Sequence, residues 1–423
     1  MNIQPTLGFS SHLTHKANLK NTRYGWLRLT PAYSVHLVSH VLDAHHEAEP
    51  VVLDPFCGTG TTALVCAEKG IESATTDINP FLIWLTQAKT RVYSEEDIAN
   101  FNKCALEVGE AILASDYPVS WLPPLHQIER WWNEHTLTAL SRAISVINVS
   151  ATNENRFVDD LLKVAFCRVM IEQSNASFAH QSMSFRNSGD APILSLHTAE
   201  KRVADGWMAA VSAISHSACS LVSNGTHTLL CDARNLTKRF PDERFSCVIT
   251  SPPYPNRMSY IRELRPYMYW LGYLETGRDA GELDWKAIGG TWGCATSNVG
   301  KWVPETTSQV THKGFYGILD RIAETSPLLS RYVHKYFYDM MFHTQELYQV
   351  VRSGGRIHYI VGNSKFYDVM LPVEEIFASL FRTAGFEGVE VSTLRKRTSK
   401  KELFEYMVSA HKPNKAVSRN GTS

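Results

Sequence analysis

One short stretch constrains this chain more than any other: an apolar strand that ends in a carboxylate and runs into a glycine turn. Val51-Val52-Leu53 is a short buried-strand pattern, preceded by Pro50 and ending at Asp54. Pro55-Phe56-Cys57-Gly58-Thr59-Gly60 follows, and Thr61 to Lys69 has helical character stopped by Gly70. Ile71 to Thr76 reads as a second strand ending at Asp77, and Pro80 opens another helix. Strand, tight glycine turn, helix, strand is the start of a parallel α/β sheet. Gly58 and Gly60 let the backbone turn sharply and approach a ligand without a Cβ in the way. In open parallel sheets, ligands bind at the carboxyl ends of strands near a topological switch point.

The remainder of the chain divides by pattern. Residues before the strand are polar and turn-rich up to Tyr24, where an apolar, aromatic segment to Val38 begins, with Thr30-Pro31 as an expected helix start. From about Ser94 to Ser223 the period is helical, for example Glu129 to Val149 and Arg156 to Glu172, with one polar loop from Ser174 to Asp190. Alternation returns at Thr226 to Cys231, which ends at Asp232, and at Phe245 to Thr250, which runs into Ser251. An aromatic helix, Tyr260 to Leu274, precedes a Gly/Trp/Thr-rich region of about 275–315 that reads as irregular. Helix Ser330 to Val351, strand Arg356 to Val361, helix Pro372 to Ala384 and strands Val389 to Leu394 and Phe404 to Ala410 complete an α/β layer.

Composition narrows the class without naming a partner. At 423 residues the chain has room for two or three domains, or one core with large insertions. Lys plus Arg and Asp plus Glu number 42 each, so no net field advertises nucleic acid, although a local basic groove on a neutral protein remains open. The 8 cysteines show no C-x-x-C pair and no zinc-type spacing, and read as reduced core thiols; no metal is assigned. The N-terminal residues lack a basic start followed by an apolar stretch, and no apolar run reaches transmembrane length, so a cytoplasmic protein without a membrane partner is expected.

The glycine loop is not built for phosphate. A dinucleotide loop has a third glycine facing pyrophosphate, whereas Thr61-Thr62-Ala63 follows Gly60 here. Asp54 would repel phosphate. With Phe56 it suits a ligand carrying an adenosine and a cationic amino group. Asp77 stands where both ribose hydroxyls could be accepted, and Asp232 where the adenine amino group could be. The candidate cofactor residues are Asp54, Pro55, Phe56, Cys57, Gly58, Thr59, Gly60, Thr61, Asp77, Ile78, Asp232 and Ala233.

Ser251-Pro252-Pro253-Tyr254 also follows an apolar strand, so it is expected beside the glycine loop. Two prolines fix φ, remove two N–H donors and extend the residues before them. The outcome is a rigid loop that presents carbonyl oxygens and a hydroxyl. This suits a nucleobase amino group, a poor nucleophile whose lone pair is delocalised into the ring. Hydrogen bonds from its protons to Ser251 Oγ and the Pro252 carbonyl would localise that lone pair and stabilise the charge that develops during methyl transfer. Tyr254 offers a flat face for a flipped base. The sequence offers no obvious general base. Proton loss can follow transfer, so none is required.

The two loops together resemble the amino-group DNA methyltransferases, in which F-x-G-x-G binds the cofactor and a (Ser/Asp/Asn)-Pro-Pro-Tyr loop holds the target. The serine form, the run from Ser251 to Tyr260 and the segment from Gly354 to Lys412 with Gly362-Asn363-Ser364 resemble the N4-cytosine branch most. The resemblance implies S-adenosyl-L-methionine as cofactor and a class I, Rossmann-like α/β fold. That fold has a mostly parallel seven-stranded sheet with one reversed strand at the sheet edge, to which Phe404 to Ala410 is assigned, and here it carries a large helical insertion. Joined to the pattern read along the chain, it gives this domain plan: 1–93, the N-terminal cofactor segment and first half of the core; 94–225, a helical insertion and candidate target-recognition region; 226–274, core with the Ser-Pro-Pro-Tyr loop; 275–329, an irregular insertion and candidate DNA-contact region; 330–412, the second half of the core; 413–423, a disordered tail. It implies methyl transfer to cytosine N4 in double-stranded DNA within a restriction-modification or phage-defence setting, alongside a companion restriction endonuclease. Adenine N6 in DNA, a guanine amino group in RNA, and a catalytically silent nucleic-acid-binding protein on this scaffold stay open.

For phosphate contacts the candidates are Arg257, Arg262 and Arg265 after the proline loop, and Arg395 and Arg397 in the densest basic run, Arg395-Lys396-Arg397 with Lys400-Lys401. For the second run, the alternative is a solvated turn. Trp131-Trp132 and Ser182 to Asn187 could wedge a duplex, although paired tryptophans in a helical insertion more often belong to its core.

Overall fold

The computed structural model describes Asn18 and residues 22–27, 29, 33–45, 47, 49–114, 117, 121–150, 156–177, 184–185, 198–305, 307–397 and 402–414. Helix α1, Val35–Asp43, starts after Ser34; the expected start at Thr30-Pro31 lies outside the described residues, as does most of the expected disordered tail. Strand β1 is Val51–Asp54, α2 Thr61–Lys69, β2 Glu72–Asp77 and α3 Pro80–Thr90. Gly60 and Gly70 bound α2 in left-handed conformations, at φ 77° and 71°, as glycine tolerates. A Cβ on Gly60 would lie 2.5 Å from Thr86 Oγ1, so the loop can pack against α3 only with glycine there.

Among the described residues the 94–223 stretch is mostly helical, as its period requires: α4 Glu95–Leu113, α5 Glu134–Ser150, α6 Arg156–Glu172 and α7 Ala199–Ala218, with one short ladder between Ala176–Ser177 and Ser184–Phe185. Helix α5 begins later than its periodicity predicts. Residues Ile128–Arg130 form a 3-10 turn, and the Asn133 side chain accepts the Thr136 N–H at 2.9 Å, starting the helix there. Then come β3 Thr226–Leu230, β4 Phe245–Thr250 and α8 Tyr260–Trp270.

Residues 275–315 are only partly irregular. They contain α9 Gly277–Lys286 and α10 Cys294–Lys301, and α11 Phe315–Thr325 begins at their end. A Thr276/Asp279 capping box starts α9. Helices this short bury few residues, so they leave little apolar periodicity to read. Helix α12, Pro327–Val350, starts earlier than expected because Ser326 caps it and Pro327 fits its first turn. Strand β5, Val351–Gly362, leads through a small two-stranded hairpin, Ser364–Phe366 with Val369–Leu371, to α13 Val373–Ala384, β6 Glu387–Lys396 and β7 Phe404–His411.

The seven strands of the main sheet lie in the order β3-β2-β1-β4-β5-β7-β6. All neighbours pair in parallel except β7, which is antiparallel to both β5 and β6. The reversed strand is thus one position in from the edge, not at it. The connection through α13 carries the chain past one place, and β7 folds back into the gap. From β1 the sheet grows one way through β2 and β3, and from β4 the other way through β5, so the switch point falls between β1 and β4.

Side chains alternate between two cores. Val52, Cys247, Ile249 and Ile360 face α1 and α2, whereas Leu53, Val248, Tyr359 and Val361 face α12 and α13. A separate apolar core joins α3, the α4–α7 helices and α8, and includes Trp131 and Trp132 at 2% and 1% exposure. These tryptophans are core residues. Of Ser182 to Asn187 only Ser184 and Phe185 are described; the rest lie outside the described residues. Among the described residues, no helix is long and apolar enough to cross a membrane.

Arg23 ties the N-terminal segment to this framework. Buried, it donates to the carbonyls of Lys89 and Arg91 at the end of α3 and of Ser217, Ala218 and Ser220 at the end of α7. Helix C-terminal carbonyls have no partners of their own and attract a cation. Arg23→Met strips both ends at once. Each orphaned buried group costs about 1–3 kcal/mol, so a loss on the order of 3 kcal/mol is expected in urea unfolding, with the midpoint falling.

Candidate active site

The carboxyl ends of the central strands open into a cleft of about 270 Å³. One end is lined by Pro55 to Thr59, Asp77, Ile78, Asn79, Asp232 and Ala233, the other by Ser251 to Tyr254. The two motifs therefore meet. Leu29, Tyr33, Phe56, Leu82 and Ile288 supply apolar and aromatic wall.

Asp54, Gly60 and Thr61 are not on that wall. Asp54 is buried and accepts from Thr250 Oγ1 at 2.6 Å, the Phe56 N–H at 3.1 Å and the Tyr33 hydroxyl at 3.3 Å. Burial pushes its carboxyl up to about 7, against the lowering effect of these bonds. What it does in this arrangement is clamp the end of β1 to the end of β4, which fixes the spacing of the two loops. Cys57 does line the cleft, with its thiol turned to Thr86 Oγ1 at 2.9 Å. Beneath the loop, Lys89 Nζ donates to the Thr59 carbonyl at 2.9 Å, and burial lowers this amine to about 8.

Asp77 accepts the Gly58 N–H at 3.1 Å and the Asn79 N–H at 2.9 Å. Burial raises it to about 6, opposed by those backbone bonds. Gly58 sits at φ 51°, and a Cβ there would touch only the Phe56 carbonyl at 3.7 Å. Asp232 starts a 3-10 helix, Ala233–Lys238, by accepting the Arg234 N–H. Its carboxylate also takes the Arg234 fork, at 3.0 and 2.7 Å; burial would raise it, but Arg234 holds it below the usual carboxylate range. Arg234 reaches on to Asp339 at 2.9 Å and to the Lys286 carbonyl at 2.7 Å.

At the other end, Tyr336 donates to the Pro253 carbonyl at 2.7 Å and the Tyr260 hydroxyl accepts the Tyr254 N–H at 3.3 Å, pinning the proline loop from two sides. Tyr254 carries the Arg397 guanidinium over its ring, 5.2 Å from the centroid. A Cβ on Gly362 would lie 2.5 Å from Arg397 Nη1 and 3.0 Å from Tyr254, so glycine at the end of β5 makes room for both. Asn363 then links β5 to β6 and β7. Its carbonyl accepts from Arg397 at 3.0 Å, and its side chain accepts the Phe404 N–H at 2.8 Å.

The arginines divide. Arg395 and Arg397 line the cleft, so they are not a solvated turn; Lys400-Lys401 lie outside the described residues. Arg265 lies over the rings of Trp131 and Trp292, at 5.1 and 5.5 Å, and burial lowers it to about 10. Arg257 and Arg262 are exposed, Arg257 at φ 64°.

Sequence reasoning missed Tyr33, Asn79, Lys286, Ile288 and Glu405, all on the cleft wall. Tyr33 lay within the aromatic segment already noted, and Asn79 just before the helix-opening Pro80. Glu405, in a strand of mixed character, carried no signal.

The cleft has an apolar floor, a strand-end carboxylate beside a glycine backbone, and a second carboxylate farther along. These suit an adenosine with a cationic tail. Among the described residues no group of His, Cys, Asp and Glu has metal-site geometry.

A family model described as DNA methylase, of the N6/N4 type, matches residues 12–88. The chain is similar to Type II methyltransferase M.BsoBI of Geobacillus stearothermophilus, 21% identical, spanning 93% of this chain and 85% of that one. It is 22% identical to Type II methyltransferase M.MvaI of Kocuria varians, over 88% and 86%. A 72-residue stretch is 36% identical to Type II methyltransferase M.MjaII of Methanocaldococcus jannaschii, covering 17% and 13%. Among solved structures, it is similar to rRNA methyltransferase aviRa from Streptomyces viridochromogenes, with TM-score 0.30 and 11% identity over 90% and 87% of the chains.

Proposed function

Because the chain belongs to the amino-group DNA methyltransferases, for which S-adenosylmethionine is the methyl donor, we propose that it methylates the exocyclic N4 amine of a cytosine flipped out of double-stranded DNA. The observation that carries this reading is the shared cleft: the glycine loop and the Ser-Pro-Pro-Tyr loop face one space at the switch point. The Type II names of the relatives support a restriction-modification role with a companion endonuclease.

When bound, S-adenosylmethionine supplies an electrophilic methyl group on a sulfonium. Asp77 accepts the ribose hydroxyls, Gly58 lets its backbone approach, and Phe56, Ile78 and Leu82 flank the adenosine. Asp232, held ionised by Arg234, meets the adenine edge with the acceptor site that the Arg234 N–H groups leave. Asp54 acts behind the wall, by fixing the distance between the loops.

Ser251 Oγ accepts one proton of the target amine. The Pro252 carbonyl accepts the other, next to the Pro253 carbonyl that Tyr336 holds in place. These bonds hold the amine lone pair along the line of transfer and stabilise its developing charge. The base stacks on Tyr254 opposite Arg397. Arg257, Arg262, Arg395 and Arg397 contribute the phosphate contacts that set orientation. The proton leaves to solvent after transfer.

The test is tritiated-methyl transfer from S-adenosylmethionine to unmethylated genomic DNA and to RNA, with nucleoside analysis of the product. N4-methylcytosine in DNA is expected. N6-methyladenine or a methylated guanine in RNA would move the target, and no incorporation into either polymer would leave only a silent scaffold.

A further inference from the structure

One polar chain behind the proline loop has a single direction, and it begins at a residue outside both motifs. Glu405, near the start of β7, lines the cleft with a largely buried side chain. Its Oε2 accepts from Arg395 Nε at 2.7 Å and its Oε1 from the Tyr254 hydroxyl at 3.1 Å. Ser251 Oγ in turn donates to the Tyr254 hydroxyl at 3.5 Å, the long end of the hydrogen-bonding range.

A hydroxyl has one proton and two lone pairs, and an ionised carboxylate can only accept. Glu405 therefore takes the Tyr254 proton, Tyr254 takes the Ser251 proton, and the lone pairs of Ser251 Oγ are left facing the cleft. We infer that Glu405 is a positioning residue, which sets the polarity of the Tyr254–Ser251 chain so that Ser251 meets the target amine as an acceptor. The inference rests on the amino-group reading of Ser251. It adds a third member to that machinery from a strand 151 residues further along the chain.

The nearly isosteric Glu405→Gln variant tests this, because Arg395 dictates how the new amide sits. The arginine is a donor only, so it claims the amide oxygen and turns the NH2 group towards Tyr254. Tyr254 must then accept, its proton turns to Ser251, and the Ser251 proton is driven into the cleft, against the amine. The shape of the pocket is retained and its polarity reversed.

Steady-state transfer of tritiated methyl to unmethylated genomic DNA should show kcat of Glu405→Gln down about tenfold to a hundredfold, with calorimetric affinity for S-adenosylmethionine and the melting temperature unchanged. Tyr254→Phe breaks the same chain. In that background Glu405→Gln should cost less than about threefold, as expected of residues acting as one unit. Wild-type kcat in Glu405→Gln, or an equal loss in both backgrounds, overturns the inference while methyl transfer by the wild type still stands. Parallel loss of kcat, cofactor affinity and melting temperature marks a structural role and also overturns it. If Glu405→Gln does not fold, wild-type kcat in Tyr254→Phe alone is decisive against the chain. Failure of the wild type to methylate genomic DNA refutes instead the reading on which the inference rests.

Discussion

Tyr254→Ala is expected to lower kcat for methyl transfer by at least about a hundredfold while leaving cofactor affinity within about threefold of wild type. Two losses combine. Stacking of a base on an aromatic ring is worth about 1–3 kcal/mol, and a reacting group placed even 1 Å off can lose about a hundredfold in rate. The ring belongs to the target end of the cleft, where Glu405 accepts from its hydroxyl and Arg397 lies over its face, while the Tyr260 hydroxyl holds the backbone N–H that alanine would keep. Pro253→Ala acts through the backbone instead, by restoring a donor and freeing φ, and is expected to follow the same split. The measurements are single-turnover transfer and calorimetric titration with S-adenosylmethionine. Equal loss of both in Tyr254→Ala would sink the division of the cleft into two ends.

The second large effect belongs to Asp77. Asp77→Ala is expected to weaken S-adenosylmethionine binding about tenfold to a hundredfold, since hydrogen bonds to a charged group are worth about 1.5–3 kcal/mol. The sign of its pH dependence follows from its environment. Burial raises this carboxyl to about 6 in the free protein, and a cationic cofactor prefers it ionised. Affinity should therefore be steady above pH 7 and fall as pH drops through 6. In Asp77→Asn the fall should vanish. A slope that survives there belongs to Asp54, pushed up to about 7 and placed behind the wall. Unchanged affinity in Asp77→Ala would refute the ribose assignment.

Much of this site was legible in the sequence because its parts are local. Asp54 and Asp77 each end an apolar or β-prone run, and Ser251 follows Thr250 directly, so strand ends could be read from neighbours. Distance hid the rest. Asp54 suits a cationic ligand until Thr250, 196 residues away, is seen to occupy its carboxylate. Glu405 looks like any exposed strand residue until the insertion of β7 beside β5 brings it to Tyr254. Arg395 and Arg397 were noticed as charge, but their place on the cleft wall depends on the same strand order. The segment from 275 to 315 failed for a different reason: two of its helices have eight and ten residues, too short for periodicity to rise above its glycines and tryptophans.

The place of the helical insertion also has a consequence for how the chain is made. β2 and β3 lie side by side, with Ser73 Oγ 3.3 Å from Thr226 Oγ1, although 153 residues separate them. At about 5–20 residues per second, a ribosome leaves roughly 8–30 s between these two strands. Through that interval α4 to α7 can gather around their own core, but β2 has an open edge, the kind of surface that recruits other chains. Its sequence, Glu72-Ser73-Ala74-Thr75-Thr76-Asp77, carries a charge at each end and hydroxyls at three of the four positions between. A strand of that composition is a poor template for aggregation, so the nascent protein can wait for the partner that completes its cofactor edge.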